Sequence, residues 1–230
     1  MIHIQKFNVL QCAVELTQHL KKNVEESGKA SLAIPGGRSP GPILKAMAEA
    51  CQTEIVKDLY LYWVDERCVP IAHPDRNDKG MLAFWKEGGE LPKHIRSMPA
   101  ENDNLDEACK TYSQTIEDDG FSNGLNIVLL GIGEDGHFAS LFPNHAGLEE
   151  DAITFKIENS PKPPKKRLSL SLPFIKKSSK IVVLIMGQAK GEMLKKAVAE
   201  PGPLYPVSLL FSCDNASFYF DEAAEEAYLA

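Results

Sequence analysis

The sequence predicts an α/β fold: a largely parallel sheet with helices on both faces, a Rossmann-like three-layer sandwich with room for a small lobe. Three observations predict it. Apolar runs of strand composition alternate with segments of helical periodicity. Three of the strand runs end in polar turns, two of them glycine-rich, and ligands bind at that end of the strands in open α/β sheets. The 230 residues suffice for one domain with a sizeable core, so 1–230 reads as a single domain.

The elements follow in order. Val9 to Val24 places Leu10, Val14, Leu16, Leu20 and Val24 at helical spacing and ends near Gly28. Strands are expected at Ser31–Ile34 and Tyr60–Val64, with a helix from about Pro42 to Cys51 between them. Asp78–Lys86 and Asn104–Asp118 have helical patterns. Strands follow at Asn126–Leu130, Ile153–Ile157, Leu168–Leu172 and Ile181–Met186. A helix near Gly191–Ala199, a short apolar helix at Val207–Phe211 and a strand at Ser217–Phe220 close the chain. No internal repeat interrupts the alternation. Ser160–Arg167, rich in Pro and Lys, reads as an exposed loop with solvated lysines, of which only Arg167 adjoins a strand and can point inward.

Composition narrows the function classes. A net charge of −7 argues against a general nucleic-acid binder and against an anionic membrane surface. It also means that an anionic substrate needs a local basic pocket. No apolar run approaches 18 residues, and the first residues lack a signal pattern. Five cysteines are scattered without CxxC spacing, which suits free thiols in a reducing cytoplasm. Cys68 reads as a packing neighbour. The histidines do not show metal-ligand spacing, and no cofactor is expected. His3, His19, His73, His94 and His145 have no motif support and read as surface or loop residues, although His145 is close to the loop of interest.

Chemistry concentrates at three strand ends. Residues 131–143 read GIGEDGHFASLFP, directly after the apolar run Leu125–Leu130. That order implies a buried strand, a glycine turn, one histidine and a helix start. Asp135 and His137, a carboxylate beside an imidazole, are equipment for proton transfer. The glycines also spell GxGxxG, a dinucleotide fingerprint that is weak alone. That fingerprint needs no histidine after its third glycine, and a tight turn whose histidine merely packs remains open too. Asp65-Glu66-Arg67 follows the strand Tyr60–Val64. Pro35-Gly36-Gly37-Arg38-Ser39-Pro40 precedes a helix start, a ready anion site. His73–Asn77, HPDRN, is a turn by composition.

These three segments, in this order, resemble the glucosamine-6-phosphate deaminase/6-phosphogluconolactonase family, with the lactonase branch the better match. That branch shows a GGSTP-like loop, a DER motif and GxGxDGHxASLFP. Here they are GGRSP, VDERCVP and GIGEDGHFASLFP. PKKRLSLSL at Pro164–Leu172, Gly187-Gln188-Ala189-Lys190, Pro206–Leu210 and Phe218–Ala224 are weaker matches, so the resemblance covers essentially the whole chain. Arg38 stands where the family has a small hydroxyl residue, and Arg76 where it often has Ser. The deaminase branch carries an acidic residue that supports its histidine in ring opening. Here that position is Phe142, which cannot relay a proton.

The resemblance implies hydrolysis of 6-phospho-D-glucono-1,5-lactone to 6-phosphogluconate in the pentose phosphate route. It implies His137 as general base, oriented by Asp135 or Asp65, with Arg67 polarising the carbonyl or holding the ring hydroxyls; a structural salt bridge of Arg67 to Glu66 or Asp65 is the competing account. The phosphate would lie among Gly36, Gly37, Arg38, Ser39, Arg167 and Lys190, and Asp75 and Asn77 would lie near the sugar. The partner is then a small phosphorylated sugar lactone, with no nucleic acid and no membrane, bound by a cytoplasmic monomer or small homo-oligomer. Alternatives are an amino-sugar-phosphate isomerase/deaminase, a non-catalytic sugar-phosphate sensor and a dinucleotide-binding oxidoreductase.

Overall fold

The structure is a computed structural model that describes residues 4–51 and 53–230, without the side chains of residues 53 and 54. His3 lies outside the described residues. The order is β1 (Ile4–Lys6), α1 (Val9–Ser27), β2 (Ala30–Ile34), α2 (Gly41–Ala50), α3 (Thr53–Asp58), β3 (Leu59–Trp63), β4 (Asp65–Arg67), α4 (Asn77–Gly88), β5 (His94–Arg96) and α5 (Leu105–Asp118). It continues with β6 (Ile127–Gly131), β7 (Thr154–Ile157), β8 (Arg167–Leu170), α6 (Leu172–Lys176), β9 (Lys180–Ile185), α7 (Gln188–Ala199), β10 (Ala216–Phe220) and α8 (Glu222–Leu229). Short 3-10 turns lie at Ala146–Glu149 and Pro206–Leu210.

Seven strands form one sheet in the order β1-β10-β9-β6-β2-β3-β5, and all six neighbouring pairs are parallel. Its central strands are buried along their length, as strands covered on both faces must be. Connections from β1 through β2 and β3 to β5 step in one direction across the sheet; those from β5 through β6 and β9 to β10 step back. Right-handed crossovers therefore put α1 to α4 on one face and α5 to α7 on the other. The mutual packing of α1, α2 and α4 agrees with that division. β2 and β6 are neighbours whose outgoing connections run opposite ways. The crevice beyond their carboxyl ends is where such sheets bind ligands.

The predicted α/β class holds, and a small lobe is present as a three-stranded antiparallel sheet, β4-β8-β7. After Trp63 the chain leaves the parallel sheet. Val64 bridges the two sheets, donating its N–H to Ile34 and accepting from Leu170. Asp65–Arg67 then pairs with Arg167–Ser169. The DER segment is thus a strand and not merely a strand end.

Other elements depart from the sequence reading. No helix opens after His137. The segment instead folds on itself through single bridges between Ile132 and Phe138 and between Phe138 and Leu141, with Ala139 in the left-handed region at φ 48°. Three residues of strand composition could not announce β1 or β5, and α3 and α8 were not anticipated. The expected strand end at Leu172 is the first residue of α6, because Ser171 caps that helix through the Phe174 N–H. On α1 the buried face is Cys12, Ala13, Leu16, Thr17 and Leu20, while Leu10 and Val14 face outward. None of the described helices is long and apolar enough to cross a membrane.

One polar knot ties the edge of the sheet to α5. Asp119, which follows α5, accepts two hydrogen bonds from Arg96, at 2.7 and 2.9 Å, and one from Tyr62 at 2.7 Å. Partial burial disfavours its charge, but the Arg96 and Tyr62 hydrogen bonds outweigh that and hold its pKa below the usual value. A depressed carboxylate contributes stability above its unfolded pKa and loses it as pH falls through the folded one. Asp119→Asn should cost about 1–3 kcal/mol in urea unfolding at pH 7, by loss of the charged partner. The difference from wild type should shrink below about pH 4, where the unfolded carboxylate protonates. A pH-independent difference would remove the ion pair as its cause.

Candidate active site

The loops after β2 and β6 meet β4, β8 and the start of α7 around a cleft of about 480 Å³. Gly36, Gly37, Arg38 and Ser39 line it from the β2 side; Gly131, Gly133, Glu134 and His137 line it from the β6 side. Asp65, Arg67 and Arg167 come from the small sheet, Asn77 from α4 and Lys190 from α7. Five cationic side chains and two carboxylates face this space, although the whole chain is acidic. A local basic pocket in an acidic protein suits a small anion rather than a polyanion.

Asp135 orients the imidazole. Its Oδ1 lies 2.5 Å from His137 Nδ1, which leaves Nε2 as the ring's uncommitted nitrogen. Partial burial disfavours the Asp135 charge. The His137 hydrogen bond and the nearby Lys162 ammonium win and hold its pKa well below the usual carboxylate range. A Cβ on Gly133 would overlap His137 Nδ1 and Asp135 Oδ1, so a glycine there lets backbone and pair share the turn. The other face of the imidazole is covered by Phe142. Their ring centres are 4.7 Å apart at 32°, and the Arg167 guanidinium sits 5.6 Å from the same phenyl ring. Phe142 is 1% exposed.

Asp65, the alternative partner for His137, is occupied elsewhere. Its Oδ2 accepts from Ser140 Oγ at 2.7 Å and lies 3.8 Å from Arg167 Nη1. Asn77 Nδ2 donates to the Asp65 carbonyl at 2.9 Å and approaches Oδ1 at 3.4 Å. Asp65 and Asn77 therefore brace the cleft wall together.

Arg67 is not held by Glu66 or Asp65. Its Nη1 donates to the Asp75 carbonyl at 2.8 Å, while its Nε is buried without a partner among the described residues. Glu66, fully buried, accepts the backbone N–H groups of Arg67, Asn77 and Asp78. Burial pushes its pKa up to about 7 against those bonds and the Arg76 charge. Arg76 is itself buried against Asp78, Glu101 and the Met98 carbonyl, a scaffold role behind the cleft. The Asp75 side chain is exposed beside His73 and is not part of the cleft lining. Asp75 contributes only the carbonyl that holds Arg67.

Arg167 points inward, and most of its donors are spent on the preceding loop. Nε donates to Pro164 O at 3.2 Å, and Nη2 to Pro163 O at 3.1 Å and Lys162 O at 3.4 Å. Burial lowers its pKa. Lys165 and Lys166 are exposed, as expected of a solvated loop. Lys162 is exposed as well, yet its ammonium reaches Asp135 Oδ2 at 3.2 Å and His137 Nδ1 at 3.4 Å. Sequence reasoning missed this contact because nothing in a Pro-Lys tract distinguishes the one lysine whose ammonium meets a carboxylate. Lys190 is half-buried, which lowers its pKa, and its ammonium has no hydrogen-bond or ion-pair partner among the described residues. Arg38 is exposed at the rim.

The remaining histidines sit elsewhere. His145 caps the 3-10 turn through the Gly147 N–H. His94, expected at the surface or in a loop, lies in β5 and stacks on Tyr60 at 4.2 Å. His19 is on α1 with a buried Nε2. Burial pushes the Cys68 thiol up to about 11, which suits a packing neighbour rather than a nucleophile. Among the described residues no group of three His, Cys, Asp or Glu side chains is placed to hold a metal ion.

Comparison with known proteins agrees with this geometry. Residues 7–219 match the family described as glucosamine-6-phosphate isomerases/6-phosphogluconolactonase. The chain belongs to this family. The 6-phosphogluconolactonase of Synechocystis is 28% identical over 92% of this chain and 90% of its own length. The GDH/6PGL endoplasmic bifunctional protein of Homo sapiens is 34% identical over 80% of this chain. The matched region spans only 24% of that longer relative. A 6-phosphogluconolactonase structure from Shewanella baltica superposes with a TM-score of 0.85 over 96% of this chain and 98% of its own, at 21% identity. No helix follows the glycine turn to receive a pyrophosphate, so the dinucleotide reading of GxGxxG fails on the fold.

The unpartnered Lys190 ammonium yields a test that assumes no reaction. Inorganic phosphate at ten times its dissociation constant should stabilise the protein by about 1.4 kcal/mol, read as a rise in Tm. In Lys190→Met the rise should largely vanish at the same concentration. An undiminished rise would move the anion site away from this cleft.

Proposed function

We propose that the protein hydrolyses 6-phospho-D-glucono-1,5-lactone to 6-phosphogluconate, the lactone-opening step of the oxidative pentose phosphate route. The observation that carries this reading is His137, held at Nδ1 by Asp135 and lining a cation-rich cleft through its other edge. Neutral His137 takes a proton from water at Nε2, and the resulting hydroxide attacks C1 of the lactone. The carbonyl electrons move to oxygen, giving a tetrahedral oxyanion that Arg67 stabilises. As the carbonyl re-forms, the C1–ring oxygen bond breaks. The imidazolium returns its proton to the departing ring oxygen, and the new carboxylic acid ionises. Asp135 stabilises the imidazolium between the two transfers. Lys190 holds the phosphate together with Ser39 and the backbone N–H groups of the β2 loop; Arg38 covers it from the rim.

Phe142 favours hydrolysis over ring opening with isomerisation. Packed on the imidazole and under Arg167, it fills with hydrocarbon the place from which a carboxylate would assist the histidine. Hydrolysis needs no such relay. A sensor of sugar phosphates would need the cationic lining but not the His137–Asp135 pair.

Acid release from freshly generated phosphorylated lactone, above its spontaneous hydrolysis, tests the reading directly. His137→Ala should lower kcat by ~10²–10⁴ with the fold retained. A folded variant at the wild-type rate would refute the mechanism. Lys190→Ala should raise KM about 10- to 150-fold with kcat little changed, because its charge-assisted contact of about 1.5–3 kcal/mol is made to a group that does not react. Unphosphorylated gluconolactone should be nearly indifferent to that change. Arg167→Ala should affect kcat as well as KM, since three loop carbonyls depend on its guanidinium. Equal effects of Lys190→Ala on both lactones would take the phosphate off Lys190.

A further inference from the structure

We infer that Lys162 is a positioning residue of this active site: sharing the Asp135 carboxylate with His137, its ammonium offsets the carboxylate's charge and keeps the imidazole a neutral base. The inference rests on the reading of His137 as the base. Its geometry is a triangle. Asp135 gives Oδ1 to His137 Nδ1 at 2.5 Å and Oδ2 to Lys162 at 3.2 Å, while Lys162 Nζ and His137 Nδ1 are 3.4 Å apart. A carboxylate alone beside an imidazole favours the imidazolium, which cannot accept a proton. An ammonium at that distance opposes it. The pair then keeps its orientation without being driven into the charged form.

The fold invests in placing this lysine. Ser160, fully buried, donates its hydroxyl to the Lys162 carbonyl and accepts the Lys162 N–H. Arg167, 5% exposed, holds the carbonyls of Lys162, Pro163 and Pro164 from below. A tract that looks like a solvated linker is thereby fixed at its third residue, and Lys162 lines the cleft and reaches Asp135. The backbones of Lys165 and Lys166 are also held, by the N–H groups of Ser160 and Cys68, but their exposed ammonium groups meet no carboxylate among the described residues.

Other charges surround the imidazole, and none duplicates this contact. Glu134 precedes Asp135 on the same loop and faces Lys190 of α7. From the small sheet, Asp65 is engaged by Ser140, Arg67 by the Asp75 carbonyl, and Arg167 by the loop. Arg38 of the β2 loop is exposed at the rim. Lys162 is the cation that directly contacts both members of the pair.

The test compares pH profiles of kcat/KM for wild type, Lys162→Met, Lys162→Gln, Lys162→Arg and Lys165→Met, with fold checked by thermal unfolding. In Lys162→Met and Lys162→Gln the acid limb should move to higher pH by about 0.5–1 unit, a ~3- to 10-fold loss at a pH on the limb, reduced by partial solvent exposure. Lys162→Arg, which keeps the charge, should restore the limb, and Lys165→Met should not move it. The titration midpoint of the His137 ring, followed by NMR, should shift in the same direction. This readout needs no turnover, so it decides the role of Lys162 even if the lactone is not the substrate. Absence of wild-type hydrolysis would defeat the functional reading alone. A stationary limb and midpoint in folded Lys162→Met, or a rise in KM with an unmoved limb, would overturn the inference.

Discussion

The buried Asp65 carboxylate is the point on which the polar end of this molecule depends. It stands where the chain leaves the parallel sheet for the small antiparallel one, and it joins segments far apart in sequence. Ser140, Asn77 and Arg167 all converge on it. A carboxylate 5% exposed is tolerable only when so partnered. Removing Ser140 or Asn77 would strip a hydrogen bond from a buried carboxylate, so the constraint fixes the β6 loop, the start of α4 and β8 relative to one another. Through Arg167 it reaches the Pro-rich loop, through that loop Lys162, and through Lys162 the Asp135–His137 pair.

The topology explains why these loops meet at all. β2 and β6 are adjacent, yet one sends its chain toward β3 and the other toward β9. Their carboxyl ends are therefore uncovered by either crossover, and the two glycine-rich loops open onto a shared crevice. The small sheet closes the side of that crevice and brings both Arg67 and Arg167, paired across β4 and β8. The result separates two tasks. In the proposed mechanism the β6 loop supplies a base held by its own carboxylate, and the cationic lining supplies affinity for a group remote from the chemistry.

Much of this was legible in the sequence. Apolar runs located every central strand, and the GIGEDGHFASLFP, DER and GGRSP segments do converge: the parallel topology brings the β2 and β6 loops together, and β4 of the small antiparallel sheet carries DER to their side. What the sequence hid has physical reasons. β1 and β5 have three residues each and lie at the sheet edges, where little burial imprints a pattern. The segment after His137 has helical composition, but Ala139 at positive φ and the bridges to Phe138 stop a helix. Arg76 looked like a stray substitution and is a buried scaffold ion. Lys162 is exposed as expected of that loop, yet its ammonium turns to Asp135, and the Asp75 side chain lies outside the cleft lining. Inward orientation is set by tertiary bonds to Arg167 and Ser160 that no local spacing encodes.

The central claim is that Asp135 holds His137 as a neutral base with a bare Nε2. Nitrogen-15 NMR of the imidazole in the wild-type protein tests it most directly, because the two ring nitrogens report separately on their protons. At neutral pH the account predicts a proton on Nδ1, shared with Asp135, and none on Nε2. A ring protonated on Nε2 with Nδ1 bare, accepting from Lys162, would contradict it, as would an imidazolium at neutral pH.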